Sequence, residues 1–264
     1  MHTHLGDTVQ YQLPMDDALV DMNALLGQSI TLTYAGQINC IHCGRKTKKS
    51  YAQGYCFPCM QSLAECDMCI MRPEQCHFAQ GTCRDEAWAQ DHCMQDHFVY
   101  LANSSGIKVG ITRHSQIPIR WMDQGASQAL PIFRVKNRLI SGLIEVALKQ
   151  WVSDRTDWRK MLRGEAESID LVLRAAELIA QAKPQIDKVR EQYGADGILA
   201  LEDSMLQIKY PVQHYPEKVN SLNLEKTPEV SGRLQGIKGQ YLIMDSGVIN
   251  MRKYSGYRLC LSSA

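Results

Sequence analysis

The chain has 264 residues, 45% of them apolar and 22% charged, with a formal net charge of +1. These are the values of an ordinary folded protein, and they exclude a disordered chain or a uniformly basic one. No stretch approaches twenty uninterrupted apolar residues, and the start Met1-His-Thr-His-Leu5 has neither a basic nor an apolar region. No membrane span and no secretory leader is therefore expected, and the chain is assigned to the cytoplasm.

Alternation of apolar and polar residues over Val9–Leu13 and Ser29–Tyr34 predicts two strands in an N-terminal β segment, residues 1–39. Nine of the ten cysteines follow, between Cys40 and Cys93. The first four stand as Cys40-Ile-His-Cys43 and Cys56-Phe-Pro-Cys59, a C-x2-C-x12-C-x2-C pattern. Each pair can bend into a tight knuckle, so that four thiolates converge on one tetrahedral Zn²⁺. Gly44 and Gly54 stand where such knuckles need permissive backbone. Between the pairs, Arg45, Lys46, Lys48 and Lys49 form a wholly basic run suited to nucleic-acid phosphates.

A second group comprises Cys66, Cys69, Cys76, Cys83, Cys93 and His97, with His77 and His92 as further candidate ligands. This is more than one ion needs. Cys66 and Cys69 with Cys76 and Cys83 make the first choice for a second zinc site; Cys93 and His97, one helical turn apart, could close it instead or serve a third ion. Two or more structural Zn²⁺ are expected. An iron–sulfur cluster on Cys66, Cys69, Cys76 and Cys83 is the competing reading.

Past the cysteine-rich region, 40–97, Phe98–Ala102 and Ile107–Ile111 flank Asn103-Ser-Ser-Gly106 and predict a β-hairpin. A short helix is expected from Pro118 to Gly125, a strand over Pro131–Val135, and a buried helix over Leu139–Val152 that contains Glu145. Between Arg113 and Arg163, ten Lys or Arg face four Asp or Glu, a local basic excess. Residues 98–163 are read as one small α/β domain and 164–221 as a connector, with a helix over Ser168–Tyr193 interrupted at Pro184. The C-terminal segment, 222–264, reads as β-rich. A hairpin turns at Asp245-Ser-Gly247, and a last strand, Tyr257–Leu261, uses Cys260 for packing. The fold class is α+β, and the flanking β segments are candidates to pair as a small barrel.

The hairpin resembles the two-strand signature of the GIY-YIG nuclease superfamily, through Phe98-Val99-Tyr100 and Lys108-Val109-Gly110, with Arg120 on the next helix and Glu145 on a later one. The resemblance implies that Tyr100 acts near the nucleophilic water, Arg120 neutralises the scissile phosphate and Glu145 holds one Mg²⁺ or Mn²⁺. His114 would occupy a proton-transfer position used in some members. Phe98 replaces the leading glycine and Lys108 the usual second tyrosine. The whole chain also resembles an uncharacterised bacterial family, domain of unknown function 2797. The words that carry this are Cys40-Ile-His-Cys-Gly-Arg-Lys-Thr-Lys-Lys-Ser50, Lys108-Val-Gly-Ile-Thr-Arg113, Arg120-Trp-Met-Asp-Gln-Gly-Ala126 and Gly236-Ile-Lys-Gly-Gln-Tyr-Leu-Ile243.

The leading expectation is a zinc-stabilised, GIY-YIG-like protein that hydrolyses phosphodiesters in DNA or RNA. A binding module for nucleic acid or a ribonucleoprotein, with no cleavage, is the alternative. A metal or iron–sulfur sensor comes third.

Overall fold

The alternating N-terminal residues form an antiparallel ribbon. The computed structural model describes residues 1–164 and 166–263; within it β1 (His2–His4), β2 (Gln10–Met15) and β3 (Ala18–Asp21) make a three-stranded sheet in sequence order. β4 (Ser29–Asn39) extends well past its alternating core, and β5 (Lys46–Thr47) pairs with its far end. The cysteine-rich stretch holds only short helices, α1 (Phe57–Ser62), α2 (Met68–Met71) and α3 (Glu86–His92). Asp67 and Asp85 cap α2 and α3 by accepting from the N–H groups of Cys69 and Trp88.

The hairpin forms as expected from β6 (His97–Asn103) and β7 (Ile107–Arg113), with Tyr100 opposite Gly110 and Ala102 opposite Lys108. α4 (Ile119–Asp123) carries the chain to β8 (Gln128–Val135), which pairs with the other edge of β6. Next come α5 (Arg138–Leu148), α6 (Trp158–Leu162) and α7 (Leu171–Tyr193); then β9 (Ile198–Ala200) and β10 (Leu206–Gln207) both pair with β8. Asn137, Asp157 and Asp170 cap the three helices with their side-chain oxygens.

The last strands are β11 (Glu229–Lys238), β12 (Tyr241–Met244), β13 (Gly247–Asn250) and β14 (Tyr257–Ser263), in the sheet order β13-β12-β11-β4-β14. β4 from the N-terminal segment thus lies between two C-terminal strands. β11 changes partner along its length: Glu229–Arg233 pair with β4, whereas Leu234–Lys238 pair with β12 across a register shift. That irregularity bends the strand and curls the sheet into a half-barrel.

The fold is α+β, and the β6-centred sheet is buried on both faces. Tyr100, Ala102 and Ala129 point with Trp121 and Met122 into a core shared with half-barrel residues such as Leu32, Leu234, Ile237 and Leu242. Val99, Leu101, Val109 and Phe133 point the other way, onto Ile140, Ile144 and Leu148 of α5 and Leu171, Leu178 and Ile186 of α7. Every residue of β6 is buried, which is why its sequence is an apolar run without alternation.

Four local expectations change. α7 runs unbroken through Pro184, because Leu178, Ala182 and Ile186 are buried on either side of the proline and this packing outweighs one lost helical hydrogen bond. The β12–β13 turn has two residues, Asp245 and Ser246, since Met244 pairs directly with Gly247. Cys260 is exposed: it sits on the outer face of β14 and packs into nothing. β11 is a strand that the sequence reading lacks, because Gly232, Gln235 and Gly236 interrupt its alternation at the bend.

Candidate metal centre and buried polar site

The two knuckles close as their spacing demands. Ile41 N–H donates to Gly54 O at 2.9 Å and Gly44 N–H to Cys40 O at 2.9 Å, with Gly44 and Gly54 at φ of +72° and +140°. The sulfurs of Cys40, Cys43, Cys56 and Cys59 all lie within 4.8 Å of one another. A tetrahedron of Zn–S bonds of about 2.3 Å has S···S edges of about 3.8 Å, and the Cys43 and Cys56 sulfurs are 3.8 Å apart. Burial pushes the Cys40 thiol up, but the N–H groups of Cys43, Cys56 and His42 outweigh it and bring it down to about 6. Cys59 is pushed up to about 12 by burial and the adjoining thiols. The N–H groups of the knuckle favour thiolate at this site, and ion binding would release the thiol protons that remain. The four-sulfur donor set fits a structural ion such as Zn²⁺.

The other candidate ligands are distributed differently from their order in sequence. Cys69, Cys76, Cys83 and Cys93 line one small cavity; Cys66 and His97 do not line it. Cys66 instead interacts with Glu65, Arg84 and Cys40. His97 is fully buried, and burial pushes its pKa down to about 4; its Nδ1 faces Gln95 O at 2.8 Å. His92 stacks on Trp88 at 4.1 Å and faces that residue's carbonyl at 2.8 Å. Asp67, Cys69 and His77 form a tight group, but Asp67 is already held by Arg84 at 2.7 Å and by the N–H of Cys69 at 3.3 Å.

A polar cluster lies under the half-barrel. Tyr100 is 0% exposed and donates to Gln124 Oε1 at 3.2 Å; the same oxygen accepts from Lys108 Nζ, and Lys108 is 4% exposed. Gly110 gives the tyrosine room, since a Cβ there would lie 2.6 Å from the Tyr100 hydroxyl. Burial, helped by the Arg120 charge, pushes Lys108 down to about 8 against the pull of Glu145 and Asp154. Burial pushes Glu145 up to about 7, with Lys149 opposing and Asp154 adding. Burial raises Tyr100 as well, opposed by Arg120 and reinforced by Glu145. The structure therefore brings Tyr100 of β6 and Lys108 of β7 within electrostatic reach of both Arg120 of α4 and Glu145 of α5. His114 sits on the exposed end of the hairpin, its ring 5.4 Å from Phe98.

Three residues here carry no role in the sequence reading. Gln124 lies inside the word Arg120–Ala126 and joins Tyr100 to Lys108. Asp154 enters because Val109 N–H donates to Ser153 O at 2.8 Å, which draws the segment after α5 along β7. Arg252 donates to Gln53 Oε1 at 2.8 Å, lies 3.9 Å from Asp123 and feels the charge of Arg120. It thereby links the knuckle to α4. No local signal in the sequence pairs Gln53 with Arg252.

Arg45, Lys46, Lys48 and Lys49 are all exposed, and Lys49 lies over the Tyr51 ring at 5.3 Å. The basic excess over Arg113–Arg163 is partly neutralised. Arg134 pairs with Asp96, Lys136 with Asp196, and Lys149 with Asp154 at 2.7 Å. Among the described residues, no helix is long and apolar enough to cross a membrane.

No curated protein and no solved structure matches the chain. The family described as "Protein of unknown function (DUF2797)" matches residues 27–259, a span that takes in the four-sulfur knuckle, the buried polar cluster and nearly all of the half-barrel. The chain belongs to that family.

Proposed function

We propose that the chain is a zinc-stabilised protein that binds DNA or RNA and hydrolyses a phosphodiester at the cluster of Tyr100, Lys108, Arg120 and Glu145. The observation that supports this is the gathering of a buried tyrosine, a buried lysine, an arginine and a carboxylate of raised proton affinity from four separate elements. Such a gathering costs stability and suits a charged substrate. Arg120 would contact a non-bridging oxygen, and Glu145, with Asp154 nearby, would hold Mg²⁺ or Mn²⁺. The ion supplies stabilisation of the charge that develops on the phosphate. Arg45, Lys46, Lys48 and Lys49 would track the backbone phosphates. Ten free thiols suit a reducing compartment, and we place the protein in the cytoplasm.

One observation favours a second reading. Tyr100 and Lys108 are closed off from solvent, so a phosphodiester meets Arg120 and Glu145 first. A module that grips phosphate without cutting it needs no more than that.

The test incubates wild type, Glu145→Gln and Arg120→Ala with labelled single- and double-stranded DNA and RNA, with Mg²⁺ or Mn²⁺ and then with chelator. Metal-dependent cleavage is expected from wild type, with a loss of about a hundredfold or more in each variant. Glu145→Gln keeps its zinc and its nucleic-acid affinity. Binding without cleavage by wild type establishes the second reading, and cleavage that survives Glu145→Gln rules out this site. Replacing Lys46, Lys48 and Lys49 together should flatten the salt dependence of binding; an unchanged slope places these lysines off the interface.

A further inference from the structure

The knuckle leaves four other cysteines facing one another. Cys69 at α2, Cys76 and Cys83 in the loops that follow, and Cys93 at the end of α3 line a single cavity, whose other walls are apolar at Ala64, Phe78, Trp88 and Ala89 and polar at Asp67, His77 and Arg84. The same set emerges from their charges. Cys69 feels Cys76 and Cys93, and Cys93 feels Cys76 and Cys83. Cys66, whose CxxC spacing with Cys69 suggests a shared ion, feels Cys40 instead.

Two features distinguish this cavity from the knuckle. The knuckle sulfurs are drawn within 4.8 Å of one another, whereas among the described residues Cys76, Cys83 and Cys93 form no such group. One tetrahedral ion needs its thiolates at about 3.8 Å from each other. A polynuclear cluster spreads them more widely, because its thiolates bind different irons that inorganic sulfide bridges hold apart. The second feature is Arg138, the first residue of α5. Its Nη2 donates to Ile70 O at 2.6 Å, but its Nε is buried without a partner, and the guanidinium feels both Cys93 and Cys69. A cation with a spare N–H beside thiolate ligands is the kind of outer partner that stabilises an anionic cluster.

We infer that Cys69, Cys76, Cys83 and Cys93 hold an iron–sulfur cluster, distinct from the ion of the knuckle. The inference is independent of any reading of the polar cluster around Lys108. Phe78, Trp88 and the two alanines give apolar contact, and Arg138 balances charge. Cys66 is not a ligand.

The full chain is purified without oxygen and assayed for zinc, iron and acid-labile sulfide, before and after reconstitution with ferrous iron and sulfide. About one zinc per chain is expected, together with iron and sulfide in roughly equal amounts and a visible thiolate-to-iron absorption. Cys93→Ser and Cys83→Ser should lose iron and sulfide and keep zinc, Cys66→Ser should keep all three, and Cys40→Ser should lose zinc alone. Should a ligand variant fail to fold, iron-edge X-ray absorption of the wild type decides the matter: iron–iron scattering with sulfur-only ligation supports the cluster, and its lack overturns it. Zinc in both sites after reconstitution, iron without sulfide, or dependence on Cys66 rather than Cys93 would each overturn the assignment.

Discussion

Lys108 occupies a place that costs the fold stability. It is buried on β7, with the Arg120 charge close by, and its proton affinity falls to about 8. Between that value and the ordinary lysine value near 10.5, the folded chain binds fewer protons than the unfolded one, so stability rises with pH across this window. Below pH 8 the penalty is present in full. Lys108→Met removes it, and Gln124 still receives the Tyr100 hydroxyl. We expect the variant to be more stable by roughly 1 to 3 kcal/mol at pH 7, with the gain shrinking as pH rises from about 8 towards 10. Thermal melts across that range check it. A gain that is absent, or constant with pH, would mean the lysine is satisfied where it sits.

Between Cys40 and Asp96 the elements are too short and too poor in large apolar groups to hold themselves together. The buried apolar side chains there are Cys40, Cys56, Ala64, Pro73, Ala89 and Cys93, none of them large. An ion held by the four knuckle sulfurs would therefore supply much of the stability of this region. Chelation should open residues 40–62 to protease while β6 to α5 resists, as fragment masses would show. Docking of the region relies on α5. A Cβ on Gly142 would lie 2.5 Å from the backbone nitrogen of Glu74 and 2.7 Å from Pro73 Cβ. Gly142→Ala should cost about 1 to 3 kcal/mol and raise protease sensitivity around residues 66–93. Zinc content in the knuckle should not change.

Across the whole molecule, the half-barrel depends on strands from both ends of the chain. β14 covers one edge of β4 over Tyr257–Ser263, and β11 covers the other. Ending the chain at Ser255 would leave the β4 edge bare and remove the Tyr257 hydroxyl that donates to Glu225 at 2.6 Å. Faster amide exchange over Ser29–Asn39 and a lower melting temperature are expected. Exchange on β6, buried between two cores, should change much less. Equal loosening of both sheets would show that they unfold as one unit.

The sequence by itself determined the elements whose signals are local. The four-cysteine knuckle follows from its spacing, the β6–β7 hairpin from its turn residues, and α5 from its apolar period, because neighbours within a few residues decide each of them. Whether Pro184 breaks a helix is different, for the proline is outweighed by packing from elsewhere. Only the tertiary structure decided that β4 lies between β11 and β14, that Cys93 rather than Cys66 faces Cys69, Cys76 and Cys83, and that Gln124 joins Tyr100 to Lys108. Burial, charge and hydrogen-bond partners at these positions come from segments far apart in the chain. A spacing pattern can nominate a cysteine or a lysine as a site residue; the companions it meets are fixed by how the strands pair and the helices pack.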